Sequence, residues 1–255
     1  MNKYIINLFF ITLSIILFVS PKLLLAQLTL TAESGLAFNG YNNVRYFNKE
    51  NDKGTLFSLT DDFETTQPVV YARFELKWRF ANKNVIELTA APLAFDYTKN
   101  DNSLINFGEN QFGATGSVDG RYEFNTYRAS YRYVWIDKDK WYFDAGASVL
   151  IRDARISLQE DNTAEETTDL GFVPLISFDL RYHCSESLSF LLKGDALVGT
   201  QGRAEDVLIG INKQIFNEHF NLRAGYRIIE GGADVSQVYN FSLIHFAAVG
   251  LSYQF

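Results

Sequence analysis

The stretch from Val69 to Phe80, which reads VVYARFELKWRF, decides the fold. A β-strand directs successive side chains to opposite faces, whereas a helix of period 3.6 would spread both sets around its circumference. Taken alternately, the residues form an apolar set, Val70, Ala72, Phe74, Leu76, Trp78 and Phe80, and a mostly charged set, Tyr71, Arg73, Glu75, Lys77 and Arg79. The pattern predicts a strand with two unlike faces. It leaves open whether the apolar face meets a protein core or lipid.

The first 26 residues differ from the rest of the chain. Lys3 precedes an almost unbroken apolar run from Ile5 to Val19, and Ala26 supplies a small residue before a cleavage point. These features are typical of a secretory signal peptide, because the run is shorter than the roughly 20 residues of a membrane span. Residues 1–26 are therefore predicted to be a signal peptide and residues 27–255 a barrel domain, with an uncleaved anchor as the alternative. Gln27, rather than a Cys, follows the predicted cut, so a lipoprotein is not indicated.

Composition narrows the possible functions. The formal net charge is −7, and loss of Lys3 and Lys22 with the signal peptide makes the chain more acidic. Such a chain has no long-range attraction for nucleic acid. One Cys and three His allow no internal disulfide and no clustered zinc motif, so neither a metal nor another cofactor is predicted. Aromatic residues at 15% are frequent for a soluble protein and usual for membrane barrels.

Alternation like that of Val69–Phe80 recurs about ten times in the mature chain. The connections between these segments differ in length on the two sides. Those at 81–84, 136–140, 183–187 and 217–219 are short, and those at 39–67, 95–120, 153–168 and about 230–238 are longer, with 199–203 as the exception. Pro174 falls within one segment and predicts a bulge or a local gap in the ladder. Short turns on one side and long loops on the other are typical of outer-membrane barrels.

Aromatic residues are sorted by strand end in the same way. Those at the short-turn ends are Trp78, Phe80, Trp135, Trp141, Tyr182, Phe216, Phe220 and Phe255, and those near the long-loop ends are Phe95, Tyr122, Phe172 and Tyr239. Two aromatic belts are selected by the two lipid boundaries, and a soluble β-sandwich, the alternative, gives no reason for them. We therefore predict an all-β, transmembrane, antiparallel up-and-down β-barrel of about ten strands, with short periplasmic turns and longer extracellular loops. The apolar faces would then meet lipid and the charged faces the interior.

Several segments carry a resemblance to a known family. They are FSLTDDF at 57–63, APL at 91–93, YEFNTYRASYRY at 122–133, DLGFVPL at 169–175, QGRAEDV at 201–207, YRIIEGGADVSQVYNFSLIHF at 226–246 and the C-terminal YQF at 253–255. The chain resembles a family of Gram-negative outer-membrane β-barrel proteins. The resemblance implies location in the outer membrane, contact with outer-membrane lipid, and recognition of Phe255 by the barrel assembly machinery. It implies no activity and therefore no catalytic residues. A monomer is expected.

The faces predicted to point inward are unusually charged. They carry Arg73, Glu75, Lys77, Arg79, Glu87, Arg128, Arg132, Asp144, Asp179, Arg181, Lys193, Asp195, Arg223 and Arg227. A barrel of about ten strands is only somewhat wider than one filled by its own side chains, and unpaired charges there would be too costly to desolvate. The charges predict a network of ion pairs that plugs the lumen, with a narrow polar conduit as the alternative.

A second polar group of residues is expected at the outer rim. It comprises Arg152, Asp153, Arg155, Arg203, Glu205, Asp206, Glu230 and Asp234. Paired carboxylates there could serve acid–base chemistry or hold Ca²⁺. Locking of loop bases by Arg–carboxylate pairs needs the same residue types and is the favoured interpretation.

The only candidate catalytic residues are Asp61 and Asp62, in the first long loop, and His245, near the outer end of the last strand. They would meet only if the loop folds over the barrel, and by parity with Phe255 the ring of His245 faces lipid. Three hypotheses follow: a plugged barrel with a structural or narrow-transport role, an outer-membrane enzyme acting on lipid or peptide at the rim, and a surface binding or adhesion module using the long loops. The sequence favours the first and predicts no defined catalytic site.

Overall fold

The structure, a computed structural model, describes residues 27–47, 54–114, 116–199, 202–234 and 238–255. The predicted signal peptide lies outside the described residues. The described strands are β1 (Gln27–Tyr46), β2 (Phe57–Ser58), β3 (Glu64–Thr65), β4 (Val69–Phe80), β5 (Asn84–Ala91), β6 (Ala94–Lys99), β7 (Ile105–Phe107), β8 (Asn110–Phe112), β9 (Val118–Asp137), β10 (Trp141–Glu160), β11 (Thr163–His183), β12 (Leu188–Gly199), β13 (Gly202–Ile215), β14 (Phe220–Asp234) and β15 (Val238–Gln254). Within those ranges no helix is long and apolar enough to cross a membrane.

Ten strand positions form a closed ring. They are β1, β4, β5 with its continuation β6, and β9 to β15, and neighbouring strands are antiparallel. The ring closes where β1 pairs with β15 along almost its whole length, from Thr29 opposite Gln254 to Tyr46 opposite Val238. The predicted fold, an all-β antiparallel up-and-down barrel of about ten strands, is confirmed.

In the half of the barrel near the short turns, the strands keep the two faces that the sequence predicts. On β4, Val70 and Phe74 have 76% and 48% of their surface exposed, whereas Arg73 and Glu75, on the opposite face, have 2% and 4%. The charged side chains are therefore the buried ones. An apolar exterior around a charged interior is the reverse of the arrangement in a soluble protein and is typical of a barrel whose outer surface contacts lipid.

Toward the other end, the strands run further than the sequence analysis expected. Residues 153–168, predicted to be a loop, are strand on both sides of a tight turn at Asp161 and Asn162. Asp161 has a φ of 51°, in the left-handed region that such turns use. The acidic composition suggested a loop, but Ile156 and Leu158 alternate with polar residues as a strand requires.

In this extended part of the strands, the inward face is apolar and the outward face is polar. Ile156 and Leu158 are buried inside the barrel, whereas Arg155 and Ser157 point outward. On the neighbouring β9, Tyr122 is buried and Arg121 is exposed. The exchange follows from the surroundings, because an outward residue here meets water rather than lipid, and an inward residue meets other protein atoms.

Those protein atoms belong to the two long loops, which fold into the mouth of the barrel. The residues that fill the mouth, which we name the apolar cap, are Phe57, Leu59, Phe63, Ile105, Phe107 and Phe112 from the loops, and Val44, Phe95, Val118, Tyr122, Ile156, Leu158 and Ile244 from the strands. The rings of Phe57 and Phe107 meet edge to face with centroids 6.1 Å apart. The backbone N–H groups of Gly113 and Gly116 donate to Glu160 at 2.8 and 2.9 Å, which attaches the second loop to β10.

The wall of the barrel is incomplete between β11 and β12. The two strands pair from His183 opposite Ser189 up to Ile176 opposite Ala196. Above Ile176, β11 continues to Thr163 with β10 as its partner on one side and no partner strand among the described residues on the other. Pro174, which lacks an N–H group, lies just above the last pair, and the local gap that it predicted is therefore on the β12 side.

Candidate functional site

The lumen is crossed by ion pairs that join opposite strands. In the upper layer, Asp206 accepts from Arg73, Arg128 and Arg227 at 3.0, 3.0 and 2.6 Å. Arg128 also donates to Asp195 at 2.6 Å. These contacts link β4, β9, β12, β13 and β14, so they connect parts of the barrel wall that lie far apart along the sheet.

A second layer centres on two glutamates. Glu33 accepts from Arg223 at 2.6 Å and forms an ion pair of 3.1 Å with Arg227. Glu75 accepts from Arg223 at 3.2 Å and from Lys193 at 3.0 Å. Arg73 also donates to Glu75, at 3.1 Å. Glu33 thus accepts from two basic groups and Glu75 from three, which offsets the cost of removing these carboxylates from water.

Arg132 forms the centre of the third layer. Its guanidinium donates to Asp144 at 2.7 Å, to Glu87 at 2.9 Å and to Ser177 at 3.2 Å. Lys193 reaches Glu87 from the opposite wall at 2.6 Å. Only 1% of the Arg132 side chain is exposed, so its charge is balanced almost entirely by these protein groups.

The short-turn end of the lumen is occupied by a tyrosine among cations. The ring of Tyr142 has Lys77, Arg79 and Arg181 at 5.3, 5.8 and 5.5 Å from its centroid. Its hydroxyl donates to Asp144 at 2.6 Å. Cation–π contacts therefore continue the charge pairing to the short-turn mouth.

The structure brings most of the predicted lumen charges together. Interior pairs contain Arg73, Glu75, Lys77, Glu87, Arg128, Arg132, Asp144, Asp179, Arg181, Lys193, Asp195, Arg223 and Arg227. Arg79 lies lower, where it binds Asp137 at 2.5 Å and the carbonyl of Asn82. Sequence reasoning missed Glu33, although its alternation with Thr29 and Thr31 already placed it on the inward face of β1.

Above the ion pairs, beside the apolar cap, lies a cavity of about 760 Å³, which we name the vestibule. Its floor includes Arg128 and Asp206, and its walls are formed mainly by β10, β11, β13 and β14. Apolar side chains such as Leu150 and Leu175 alternate there with polar ones such as Arg152. A cavity of this size with a few polar groups is typical of small-molecule sites.

The polar residues predicted at the rim do not form one cluster. Asp206 lies in the lumen instead, because it faces inward one step below the rim and is needed to balance three arginines. Arg152 pairs with Asp169, and Arg155 with Glu166 at 3.5 Å. Asp153 points outward and Asp234 is exposed at the end of β14.

Arg203 and Glu230 meet on the outer surface and are joined by a residue that the sequence did not indicate. Tyr41 donates its hydroxyl hydrogen to Glu230 at 2.7 Å, and Arg203 donates to the same tyrosine at 3.1 Å. The hydrogen bond from Tyr41, together with Arg203, lowers the pKa of Glu230. Burial and the adjacent carboxylate raise the pKa of Tyr41. Glu205, opposite Glu230 in the ladder, lines the vestibule.

The candidate catalytic histidine and the two candidate aspartates bind different groups. His245 points outward and its Nδ1 lies 2.5 Å from the hydroxyl of Tyr226. Asp61 and Asp62 instead accept from Ser58 within their own turn, at 3.0 Å from its hydroxyl and 2.7 Å from its backbone N–H. In the sequence, the parity that turns His245 outward is the one signal of this separation. Among the described residues, no group of three or more His, Cys, Asp or Glu side chains is placed to hold a metal ion.

The fold defines a transmembrane antiparallel β-barrel of the kind found in outer membranes. The outer membrane protease OmpT from Escherichia coli has the same fold, with a TM-score of 0.55, 8% identity, and coverage of 90% of this chain and 97% of that one. The COG4313 outer membrane channel from Pseudomonas putida F1 matches with a TM-score of 0.40, 10% identity, and coverage of 90% and 95%. The attachment invasion locus protein Ail of Yersinia pestis, in complex with sucrose octasulfate, matches with a TM-score of 0.36, 8% identity, and coverage of 89% and 99%.

The two comparisons by sequence found no match. No family model matches the chain. No curated protein matches it either. At 8% identity the likeness to OmpT concerns the fold alone, and it assigns no activity to this chain.

Proposed function

We propose that this protein is an outer-membrane barrel with a closed lumen, and that it binds a small ligand in the vestibule on its extracellular side. The observation that carries the proposal is the layered ion pairing of the lumen below an outward-facing cavity. Arg132, Glu75 and Asp206 have side chains between 1% and 4% exposed in the middle of the barrel. This arrangement favours the plugged barrel over the narrow conduit.

A conduit would require these pairs to separate, and separation is costly. Removing one partner of a buried ion pair costs about 3–5 kcal/mol, because the other charge stays buried. Each layer contains several such pairs that share partners, so opening one layer disturbs the next. Passage of a solute through the lumen would therefore need a concerted rearrangement of three layers.

The vestibule differs from the lumen because it already contains open space. Its cavity of about 760 Å³ lies within the range of small-molecule pockets. Among the described residues, the apolar cap lies toward β1 and β9, and the cavity lies beside it toward β11 and β13. Binding there needs no disruption of the lumen, which favours a binding function over transport through the lumen.

Location, export and assembly form part of the same proposal. The apolar exterior and the fold support insertion in an outer membrane after export directed by residues 1–26. Phe255 is 60% exposed and its backbone N–H donates to Leu28 at 2.9 Å, which leaves the ring available to the assembly machinery. The enzyme hypothesis is less well supported, since His245 and the two aspartates of the first loop bind different groups.

Planar-bilayer recording of the purified barrel tests the closed lumen. We expect no discrete conductance steps from the wild type. The double variant Arg132→Ala/Arg227→Ala removes the centre of one layer and a partner of two others, and ion-sized steps from this variant alone would show that the pairs close the lumen. Regular steps from the folded wild type would refute the closed lumen and restore the conduit.

A further inference from the structure

The vestibule opens not only to the outside but also through the wall of the barrel. Phe172 and Pro174 face outward on β11, yet both line the vestibule, as do the inward-facing Val173 and Leu175. Between these outward and inward side chains lies the edge of β11 that faces β12, along which the cavity extends. That edge is the one left without a partner above Ile176, so the cavity reaches the exterior between β11 and β12.

The opening lies at the level of the outer lipid leaflet. Phe172 is ten residues above Tyr182, which belongs to the aromatic belt at the short-turn end. At about 3.3 Å per residue and a tilt of about 40°, ten residues rise roughly 25 Å, the height of the apolar band of such barrels. Leu170, Phe172 and Ile176 are exposed on this face, at 65%, 68% and 63%, so the outside of the opening is apolar.

The inside of the opening is amphipathic. Leu150, Val173, Leu175 and Leu197 line the cavity at the base of the gap, and Arg152 lies one step further out, opposite Gly171. The Nε–H groups of Arg152 and of Arg128 are buried and have no acceptor among the described residues. Arg128 is itself 4% exposed and forms part of the cavity floor. Buried donors of this kind favour a ligand that supplies an oxygen acceptor.

We infer that the vestibule takes an acyl chain from the outer leaflet through the gap between β11 and β12. The acyl chain lies against Leu150, Val173, Leu175 and Leu197, and its carboxyl oxygen accepts from the guanidinium of Arg152. This inference rests on the proposed function and names its ligand class. The orientation matches the surroundings, because the apolar part of the site adjoins the hydrocarbon and Arg152 lies toward the water. The acyl chain belongs either to a free fatty acid or to a membrane phospholipid.

Quenching of a single tryptophan tests the inference. The native Trp78, Trp135 and Trp141 all lie at the short-turn end and are replaced by Phe, and Phe124→Trp, which lines the vestibule, supplies the reporter. The barrel is placed in nanodiscs and titrated with stearic acid brominated at mid-chain. A parallel sample contains phosphatidylcholine brominated on its acyl chain. Ser157→Trp, which points outward above the membrane, is the matched control reporter.

We expect saturable quenching at position 124 and none at position 157. Saturable quenching by the acid identifies a free fatty acid as the ligand, and strong quenching by the phospholipid alone identifies a membrane lipid. Octadecane brominated at mid-chain, which has no oxygen, should bind about tenfold more weakly than the acid, and Arg152→Gln should remove that difference.

Gly171→Leu provides a second variant that blocks the site. A Cβ at Gly171 would point toward Arg152 at an ordinary contact distance of 3.5 Å, so the barrel can accommodate it while the larger side chain fills the vestibule. Folding of each variant is checked by its electrophoretic mobility before and after heating. Absence of saturable quenching by both acid and phospholipid in a folded barrel would overturn the inference, as would equal quenching in the Gly171→Leu variant. Neither result depends on the conductance of the lumen, so the closed-lumen proposal fails or stands separately.

Discussion

Replacing Arg132 by Met tests whether the interior charges are held in specific pairs. The substitution removes three hydrogen bonds, to Asp144, Glu87 and Ser177, from a side chain that is 1% exposed. Breaking a buried pair by removal of one partner costs about 3–5 kcal/mol, and we expect the free energy of unfolding to fall by that amount. The two carboxylates left behind are not equivalent. Glu87 keeps the ion pair with Lys193 at 2.6 Å, whereas Asp144 keeps the hydrogen bond from Tyr142 and, among the described residues, has Lys77 and Arg181 only at longer range.

This difference predicts how the loss can be repaired. In the Arg132→Met background, Asp144→Asn removes the carboxylate that has lost its direct ion pair and should restore more stability than Glu87→Gln, which would leave Lys193 with one fewer partner. Urea unfolding in lipid vesicles, followed by tryptophan emission, measures the change from the transition midpoint at constant slope. If Arg132→Met lies within about 1 kcal/mol of the wild type, or if Glu87→Gln restores more than Asp144→Asn, the pairing described for this layer is wrong.

Three further predictions concern the lipid face, the cap and the rim. Phe74→Arg, which places a charge near mid-membrane, should reduce stability in lipid by about 2–4 kcal/mol, whereas Ser157→Arg, outside the membrane, should fold as the wild type does; equal yields of folded barrel would contradict the assignment of the outer face. Phe107→Ala should destabilise the apolar cap by about 3–5 kcal/mol, seen as faster proteolysis within residues 54–114 while the barrel stays intact; unchanged cleavage would show that the cap does not depend on this ring. Glu230 has a lowered pKa, so its contribution is complete above the ordinary Glu value and is lost as pH falls through the folded value. Wild type and Glu230→Gln should differ by a few tenths of a kcal/mol near neutral pH and converge once the pH falls below the folded pKa, which lies under the ordinary Glu value. A difference that grows on acidification would contradict this sign.

Alternation along the strands was enough to predict the barrel and most of its interior charges. The period of two is a local property, and Arg73, Glu75 and Lys77 show it within a single segment. Arg79 shares the face but lies too near the turn to reach the interior pairs. Glu33 was not recognised because the inward-facing residues before it on its strand, Thr29 and Thr31, are uncharged.

The upper half of the barrel was harder to predict, because its environment is set by tertiary structure. Residues 153–168 have a composition typical of loops, and only the folded loops that cover Ile156 and Leu158 explain why these side chains point inward. The wall opening depends on where β12 leaves β11. Pro174 indicated a gap, but not the strand on whose side it would form or the cavity behind it.

The exchange of inner and outer character along the strands has a mechanical consequence for how the molecule sits in the bilayer. On β10, Val149 and Ile151 belong to the outward surface below Asp153, and Arg155 belongs to it above. A downward slip by one pair of residues would bring Asp153 toward hydrocarbon, and an upward slip would lift Ile151 into water; both are unfavourable. The order of apolar and polar residues along each long strand thus sets the depth at which the strand lies in the bilayer. It fixes the immersion of the barrel around its circumference, and with it the height at which the gap between β11 and β12 faces the lipid.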